Sequence, residues 1–247
     1  MNGKVILIGA GPGDPELITL RALNILKTAD AVVFDHLVNP EILGYANSKA
    51  EFHNVGKIPG CNSNQQDEIN NLLLKLTKSK KCIARLKGGD PFIFGRGGEE
   101  LLFLSQKKIV VEVIPGITAA TGCAAAYGIP LTHRGVATSV RFITGHLKNG
   151  SFLNLDWNSL ADPTCTLVFY MAVANAHIVV DNLLNHGRSA KTPAALIHAG
   201  TTKNQNCAIV TLQDIPLAIK DFPSPCLLII GEVANINNST HQNKKIN

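Results

Sequence analysis

The residues best suited to chemistry crowd into one run, Arg85-Leu-Lys-Gly-Gly-Asp90-Pro-Phe-Ile-Phe-Gly-Arg96-Gly-Gly-Glu-Glu100. It begins inside the last residues of Cys82–Leu86, which reads as a buried strand leading into the glycine-rich part. Backbone so rich in glycine lets a small ligand approach N–H and C=O groups closely. A binding loop at a strand end is the expectation. Within it, Asp90 can hydrogen-bond an amine or pair with a cation, or it can cap the turn before Pro91. Asp35 and Lys57 each end an expected strand, where such groups can exchange protons with a bound substrate. Arg96, Arg134 and Lys57 can hold carboxylates, the arginines in a bidentate manner.

A second glycine loop, Gly9-Ala-Gly-Pro-Gly-Asp14, also follows a strand and opens a helix. It invites comparison with a dinucleotide-binding turn, but the spacing fails because Asp14 stands where the third glycine belongs. A carboxylate at that helix start repels a pyrophosphate, and Pro12 removes one N–H donor. An uncharged or cationic ligand, or a purely structural tight turn, fits the loop better. A nicotinamide-dependent oxidoreductase, which would rest on this loop alone, has Asp14 against it.

The elements around these loops alternate strand and helix. Val5–Ile8, Ala31–Phe34, Phe52–Val55, Cys82–Leu86 and Val110–Ile114 read as strands. Asp14 with Pro15 suggests a helix start whose apolar face begins at Leu17, Leu20 and Ala22. Ser63-Asn-Gln-Gln66 suggests a capping box before Ile69, Leu72, Leu73 and Leu76, and Thr118–Tyr127 a closely packed helix. The pattern predicts an α/β layer with a largely parallel sheet, in which ligands sit beyond the C-terminal strand ends. After a connector at Leu131–Gly135, strands at Val140–Thr144, Thr166–Met171, Ala194–His198, Ala208–Thr211 and Cys226–Ile230, with a helix at Val173–His186, predict a second α/β domain. The expected division is residues 1–134 and 135–234, with a polar tail over 235–247.

Composition narrows the function classes. A chain of 247 residues with 45% hydrophobic content can build two cores. One Trp and three Tyr make no stacking platform for bases. A net charge of +5 suits an anionic ligand, but the basic residues form no stripe, so nucleic acid is not expected. Six cysteines without a C-x-x-C pair, and no signal-like start, suggest a reduced cytoplasm. Leu167–Val180, broken by Asn175 and His177, is too short to span a bilayer, so no membrane segment is expected. The histidines form no H-E-x-x-H pair, and no metal site is expected.

Several motifs in one order resemble the uroporphyrinogen-III C-methyltransferases of the tetrapyrrole methylase family. They are Val5–Leu17 (VILIGAGPGDPEL), Ala29–Val38 (ADAVVFDHLV), Val55–Asn70 (VGKIPGCNSNQQDEIN), Arg85–Glu100, Val113–Ala120 (VIPGITAA), Gly128–Arg134 (GIPLTHR), Thr144-Gly-His146, Tyr170-Met171 and Gly231-Glu-Val233. The resemblance implies two α/β domains, each with a roughly five-stranded sheet flanked by helices, an active-site cleft between them, and a homodimer. It implies S-adenosyl-methionine as methyl donor, with S-adenosyl-homocysteine as product and no metal. Uroporphyrinogen III would be methylated at carbons 2 and 7, through precorrin-1 to precorrin-2, for sirohaem or cobalamin synthesis. Residues matching the family's donor site are Pro12, Gly88, Gly89, Asp90, Ile93, Thr118, Ala119, Met171 and Gly200. Asp35 matches its proton acceptor and Lys57 its proton donor, while a carboxylate-rich substrate gives Arg96 and Arg134 a use. A methyltransferase acting on a later precorrin would share the donor site. The family commonly has Arg at His36, His at Asn62 and Gly at Ala172.

Overall fold

A computed structural model describes residues 3–56, 65–145 and 154–236 of the chain. Two compact units divide at Ala119/Ala120, earlier than the expected break after Arg134. The small-residue helix and the connector after it therefore group with the second unit. That helix carries Cys123, which stands against Gly200 there.

The first unit holds strands β1 (Lys4–Gly9), β2 (Ala31–Phe34), β3 (Glu51–Asn54), β4 (Cys82–Lys87) and β5 (Val111–Ile114) in the order β3-β2-β4-β1-β5. Every pairing is parallel. Helices α1 (Leu20–Leu26), α2 (Pro40–Leu43), α3 (Gln65–Leu76) and α4 (Gly97–Gln106) accompany them. A central parallel strand is covered on both faces and so is apolar at nearly every position. In β1, Ile6 and Ile8 pack with Ala22, Leu26 and Ile42 on one side. Val5 and Leu7 pack with Ile69, Leu73 and Leu104 on the other. The edge strand β3 is largely exposed and polar, which discourages pairing with another chain.

The chain departs from expectation after β1. Asp14 does cap, accepting from the Glu16 N–H at 2.9 Å, but only a single 3-10 turn, Pro15–Leu17. Ile18 is extended, and α1 starts afresh at Leu20 with Thr19 as its cap. Leu20 is 78% exposed, so it does not belong to the apolar face. A proline-led turn closed by an extended residue cannot continue the i to i−4 ladder, and the new start rotates the face.

Helix α5 (Ala119–Ala126) lies in the second unit but for its first residue, and that unit holds β6 (Ser139–Thr144), β7 (Cys165–Tyr170), β8 (Pro193–His198), β9 (Asn206–Thr211) and β10 (Cys226–Ile230). Their order is β6-β7-β10-β8-β9. Only β6 and β7 run parallel; β7-β10, β10-β8 and β8-β9 are antiparallel. Helices α6 (Trp157–Leu160), α7 (Ala176–Asn185) and α8 (Ile215–Ala218) pack Val179, Leu183 and Ile215 against Leu167, Phe169, Leu196 and Leu228. A 3-10 turn over Glu232–Asn235 takes in the first residue of the expected tail. Residues 237–247 lie outside the described residues, as do Ser63 and Asn64 of the expected capping box.

Candidate functional site

Parallel strands bring their C-terminal ends to one edge of the sheet. Loops after the adjacent strands β4, β1 and β5 therefore stand side by side, and Asp35 follows β2 at the same edge. Pro12, Gly88, Gly89, Asp90, Ile93, Thr118 and Ala119 are gathered there. Gly89 N–H donates to the Gly11 carbonyl at 2.7 Å, and Gly11 N–H returns a bond at 3.2 Å. A Cβ on Gly9 would stand 2.5 Å from Gly116 Cα, and one on Gly88 would stand 2.8 Å from Leu37 Cβ. Glycine at these positions lets one loop pack against another. Gly89 differs: its φ is +67°, and a Cβ there would meet only Ala119 N at 3.7 Å and Thr118 Cα at 3.8 Å. Its backbone is the open one, facing residues that the family resemblance assigns to the same ligand.

Asp90 performs the capping role and a second one. Oδ1 accepts the Phe92 N–H at 2.8 Å, closing a turn around Pro91. Oδ2 accepts the Gly116 N–H at 3.0 Å, tying the β4 loop to the β5 loop. The loop then folds back on itself, with the Gly97 N–H donating to the Pro91 carbonyl at 2.9 Å. Phe94 and Arg96 are left-handed, with φ of 53° and 58°, and Phe92 and Phe94 are exposed. Arg96 forms a fork with Glu99, Nε to Oε1 at 2.8 Å and Nη2 to Oε2 at 2.7 Å. That pairing raises the guanidinium pKa further.

Asp35 Oδ1 accepts the Leu37 N–H at 3.1 Å, and Oδ2 lies 3.8 Å from Arg85 Nη1. Behind it is a buried charge cluster from the two ends of the Arg85–Glu100 run, residues to which the sequence reading gave no role. Arg85 and Lys87, two apart on β4, point to the same face as Ile83. Glu100 Oε1 on α4 receives Lys87 Nζ at 2.9 Å and Arg85 Nε at 3.2 Å. Burial, and then the neighbouring Arg85, push the Lys87 pKa down against the pull of Glu100. A signal was present: two basic residues alternating with apolar ones in a strand otherwise fit for a core. Their carboxylate partner, on a later helix, carries no local mark.

In the second unit, Met171 follows β7 in a left-handed conformation, φ 55°, and is 51% exposed. Such a backbone is uncommon for a non-glycine residue and gathers at ligand sites. The Tyr170 hydroxyl accepts the Ala120 N–H at 2.9 Å. Gly200 is buried against Cys123, whose sulfur occupies the place a side chain would need. Ala172 is buried beside Gly145, where a Cβ would stand 2.6 Å from it, so its extra methyl packs on that glycine. Arg134 is exposed, at the tight turn bridged by His133 and Ala137. Lys57, Asn62 and His146 lie outside the described residues. Among the described residues, no three His, Cys, Asp or Glu side chains group to hold a metal. No helix among them is long and apolar enough to cross a membrane.

An α/β protein with packed loops at the C-terminal edge of a parallel sheet is built to bind a small organic ligand there. The chain belongs to the tetrapyrrole (corrin/porphyrin) methylases, whose family model matches residues 4–216. It is 52% identical to a siroheme synthase of Pseudomonas fluorescens (strain Pf0-1) over 95% of its own length and 51% of that protein. The chain thus spans about half the length of the curated relatives it matches. A uroporphyrin-III C-methyl transferase from Thermus thermophilus, complexed with S-adenyl homocysteine, aligns with a TM-score of 0.81 and 37% identity. That alignment covers 95% of this chain and 94% of the other. A cobalt precorrin-4 methyltransferase shares the fold, with a TM-score of 0.82 at 23% identity. The expectation of two α/β domains with five-stranded sheets, and of tetrapyrrole methylase kinship, holds.

Proposed function

We propose that the chain transfers methyl groups from S-adenosyl-methionine to carbons 2 and 7 of uroporphyrinogen III, giving precorrin-2. The observation that carries this is the likeness to the Thermus thermophilus enzyme, which spans nearly all of both chains and whose structure holds S-adenyl homocysteine. The local geometry supports it. The open backbone of Gly89 beside Thr118 and Ala119 suits a flat, phosphate-free adenosine, and the negative charge of Asp14 and Asp90 nearby is compatible with a cationic ligand.

When bound, S-adenosyl-methionine supplies an electrophilic methyl on a sulfonium that leaves as a neutral thioether. The chain's part is alignment, since holding reactants in line removes most of the entropic barrier. Gly88, Gly89, Asp90, Ile93, Pro12, Thr118 and Ala119 form the donor side in the first unit, and the family resemblance adds Met171 and Gly200. The substrate carbon gains the methyl and the macrocycle then loses a proton. Asp35 is the acceptor, its carboxylate oriented by the Leu37 N–H. Lys57 is assigned the proton-donating role, and Arg96 and Arg134 the substrate carboxylates. A homodimer in a reduced cytoplasm goes with this function, and the free thiols of Cys82, Cys123, Cys165, Cys207 and Cys226 suit that compartment. Light scattering tests the dimer.

The deciding experiment is an anaerobic reaction with both substrates, read by product mass. A gain of two methyl groups supports the proposal. Asp35→Asn should then lose turnover while retaining affinity for S-adenosyl-homocysteine; equal loss of both would remove Asp35 as the base. Methyl transfer only to later precorrins would move the assignment to another step.

A further inference from the structure

The charge cluster behind Asp35 is costly to bury. Arg85 is 3% exposed, Lys87 4% and Glu100 0%, within a layer that otherwise holds Leu7, Val33, Ile83 and Leu104. Replacing such a set by apolar residues is often neutral or stabilising, so burial of charge does not explain itself through stability. Its geometry is one-sided. Glu100 Oε1 takes three donors, Lys87, Arg85 and Gln66, the last at 3.3 Å, while Oε2 has no hydrogen-bond partner among the described residues. Two cations share that carboxylate, and the remaining positive charge faces Asp35. Arg85 is held at Nε by Glu100, and at Nη1 by the Leu86 carbonyl at 2.8 Å. These two anchors fix the plane of the guanidinium, and its edge comes to 3.8 Å from Asp35 Oδ2.

We propose that Glu100 is a positioning residue: clamped by Lys87 and Gln66, it holds Arg85 so that the guanidinium sets the orientation of the Asp35 carboxylate. This rests on Asp35 being the proton acceptor. Glu100 is fully buried and acts only through Arg85. The Leu37 N–H holds one carboxylate oxygen of Asp35, and the positive edge of Arg85 draws the other by charge across 3.8 Å.

The test is a double-mutant cycle in the 247-residue chain, with steady-state methyl transfer to uroporphyrinogen III read by mass. Glu100→Gln should lower kcat by about 10-fold or more, since small misplacements of a catalytic group are expensive, with KM for the methyl donor within about twofold. In the Asp35→Asn background, the same substitution should change the residual rate by less than about twofold, because its effect runs through the missing carboxylate. An equal loss in both backgrounds overturns the positioning role and leaves Asp35 as the base. If Asp35→Asn alone keeps full turnover, the base assignment fails and the inference falls with it. No methyl gain by the unaltered chain would sink both. Should Glu100→Gln not fold, Arg85→Lys carries the same cycle. It keeps a cation beside Glu100 and removes Nη1, the nitrogen that faces Asp35, and an unchanged kcat would overturn the proposal.

Discussion

The carboxylate of Asp90 reaches across to the backbone of Gly116, its Oδ2 accepting that N–H at 3.0 Å while Oδ1 caps Phe92. One side chain thus fixes the loop after β4 against the loop after β5, on either side of the strand end of β1. Asn in its place keeps a single acceptor oxygen and turns an N–H2 toward one of the two donors. An unmet N–H costs about 1–3 kcal/mol when buried, and Gly116 is only half-buried, so a loss near 1 kcal/mol is expected for Asp90→Asn. That corresponds to about 2–4 °C in melting temperature for a chain of this size. Affinity for S-adenosyl-homocysteine should fall with it. Calorimetry showing lost affinity at unchanged melting temperature would mean that Asp90 acts on the ligand directly.

Met171 offers a test in which backbone and side chain pull apart. Its φ of 55° is strained for any residue with a Cβ, by roughly 1–2 kcal/mol, whereas glycine accepts it freely. Met171→Ala and Met171→Gly both remove the exposed thioether arm. Only the glycine variant relieves the strain, so it should be the more stable of the two by up to about 1 kcal/mol, after its larger unfolded-state entropy is counted. If the arm packs on the methyl donor, both should weaken S-adenosyl-homocysteine binding alike, by about 10-fold for an apolar contact worth some 1.4 kcal/mol. A glycine variant less stable than the alanine one would refute the strain.

Much of the fold was legible. Ala31–Phe34 and Cys226–Ile230 were read to the residue because each is a compact apolar run that only a buried strand explains. The sense of the second sheet was not legible. Ala194–His198 and Cys226–Ile230 look like parallel core strands, yet they pair antiparallel, since burial on both faces leaves the same apolar run whichever way a neighbour points. At the site, the loops were legible but the packing that requires their glycines was not. Gly9 and Gly88 are small because another loop lies against them, a fact held by residues distant in sequence. Glu100 was hidden for a like reason: its partners on β4 and α3 become neighbours only through the fold.

The cysteines of the second unit give a pH dependence. Burial raises Cys123 to about 11, and Cys207 and Cys226 to about 12, from an ordinary 9.0. Below pH ~9 these thiols are neutral whether folded or not, and their contribution is constant. Above it the unfolded chain releases protons that the folded chain retains, so stability falls as pH rises. Each thiol removes about 1.4 kcal/mol per pH unit while the pH lies between its two values. Urea unfolding between pH 8 and about 10.5 should show this decline, and Cys207→Ala should make it shallower. An unchanged slope in that variant would contradict the burial of its thiol.

Glu99 competes with the proposed substrate for Arg96. The guanidinium already holds both oxygens of Glu99, in a geometry suited to any carboxylate. Yet both side chains are more than half exposed, and an exposed pair this close in a helix is worth about 0.3–0.5 kcal/mol. A substrate carboxylate that makes the same fork can therefore displace Glu99 at little cost. Glu99→Gln removes the competitor and leaves the arginine unpaired for the substrate. KM for uroporphyrinogen III should fall about twofold, the factor that matches so small an energy, with donor affinity unchanged. Arg96→Lys should raise KM instead, because an ammonium cannot reproduce the fork. If Glu99→Gln raised KM, Glu99 would be holding Arg96 in its binding position rather than occupying it, and the pair would act on substrate as one unit.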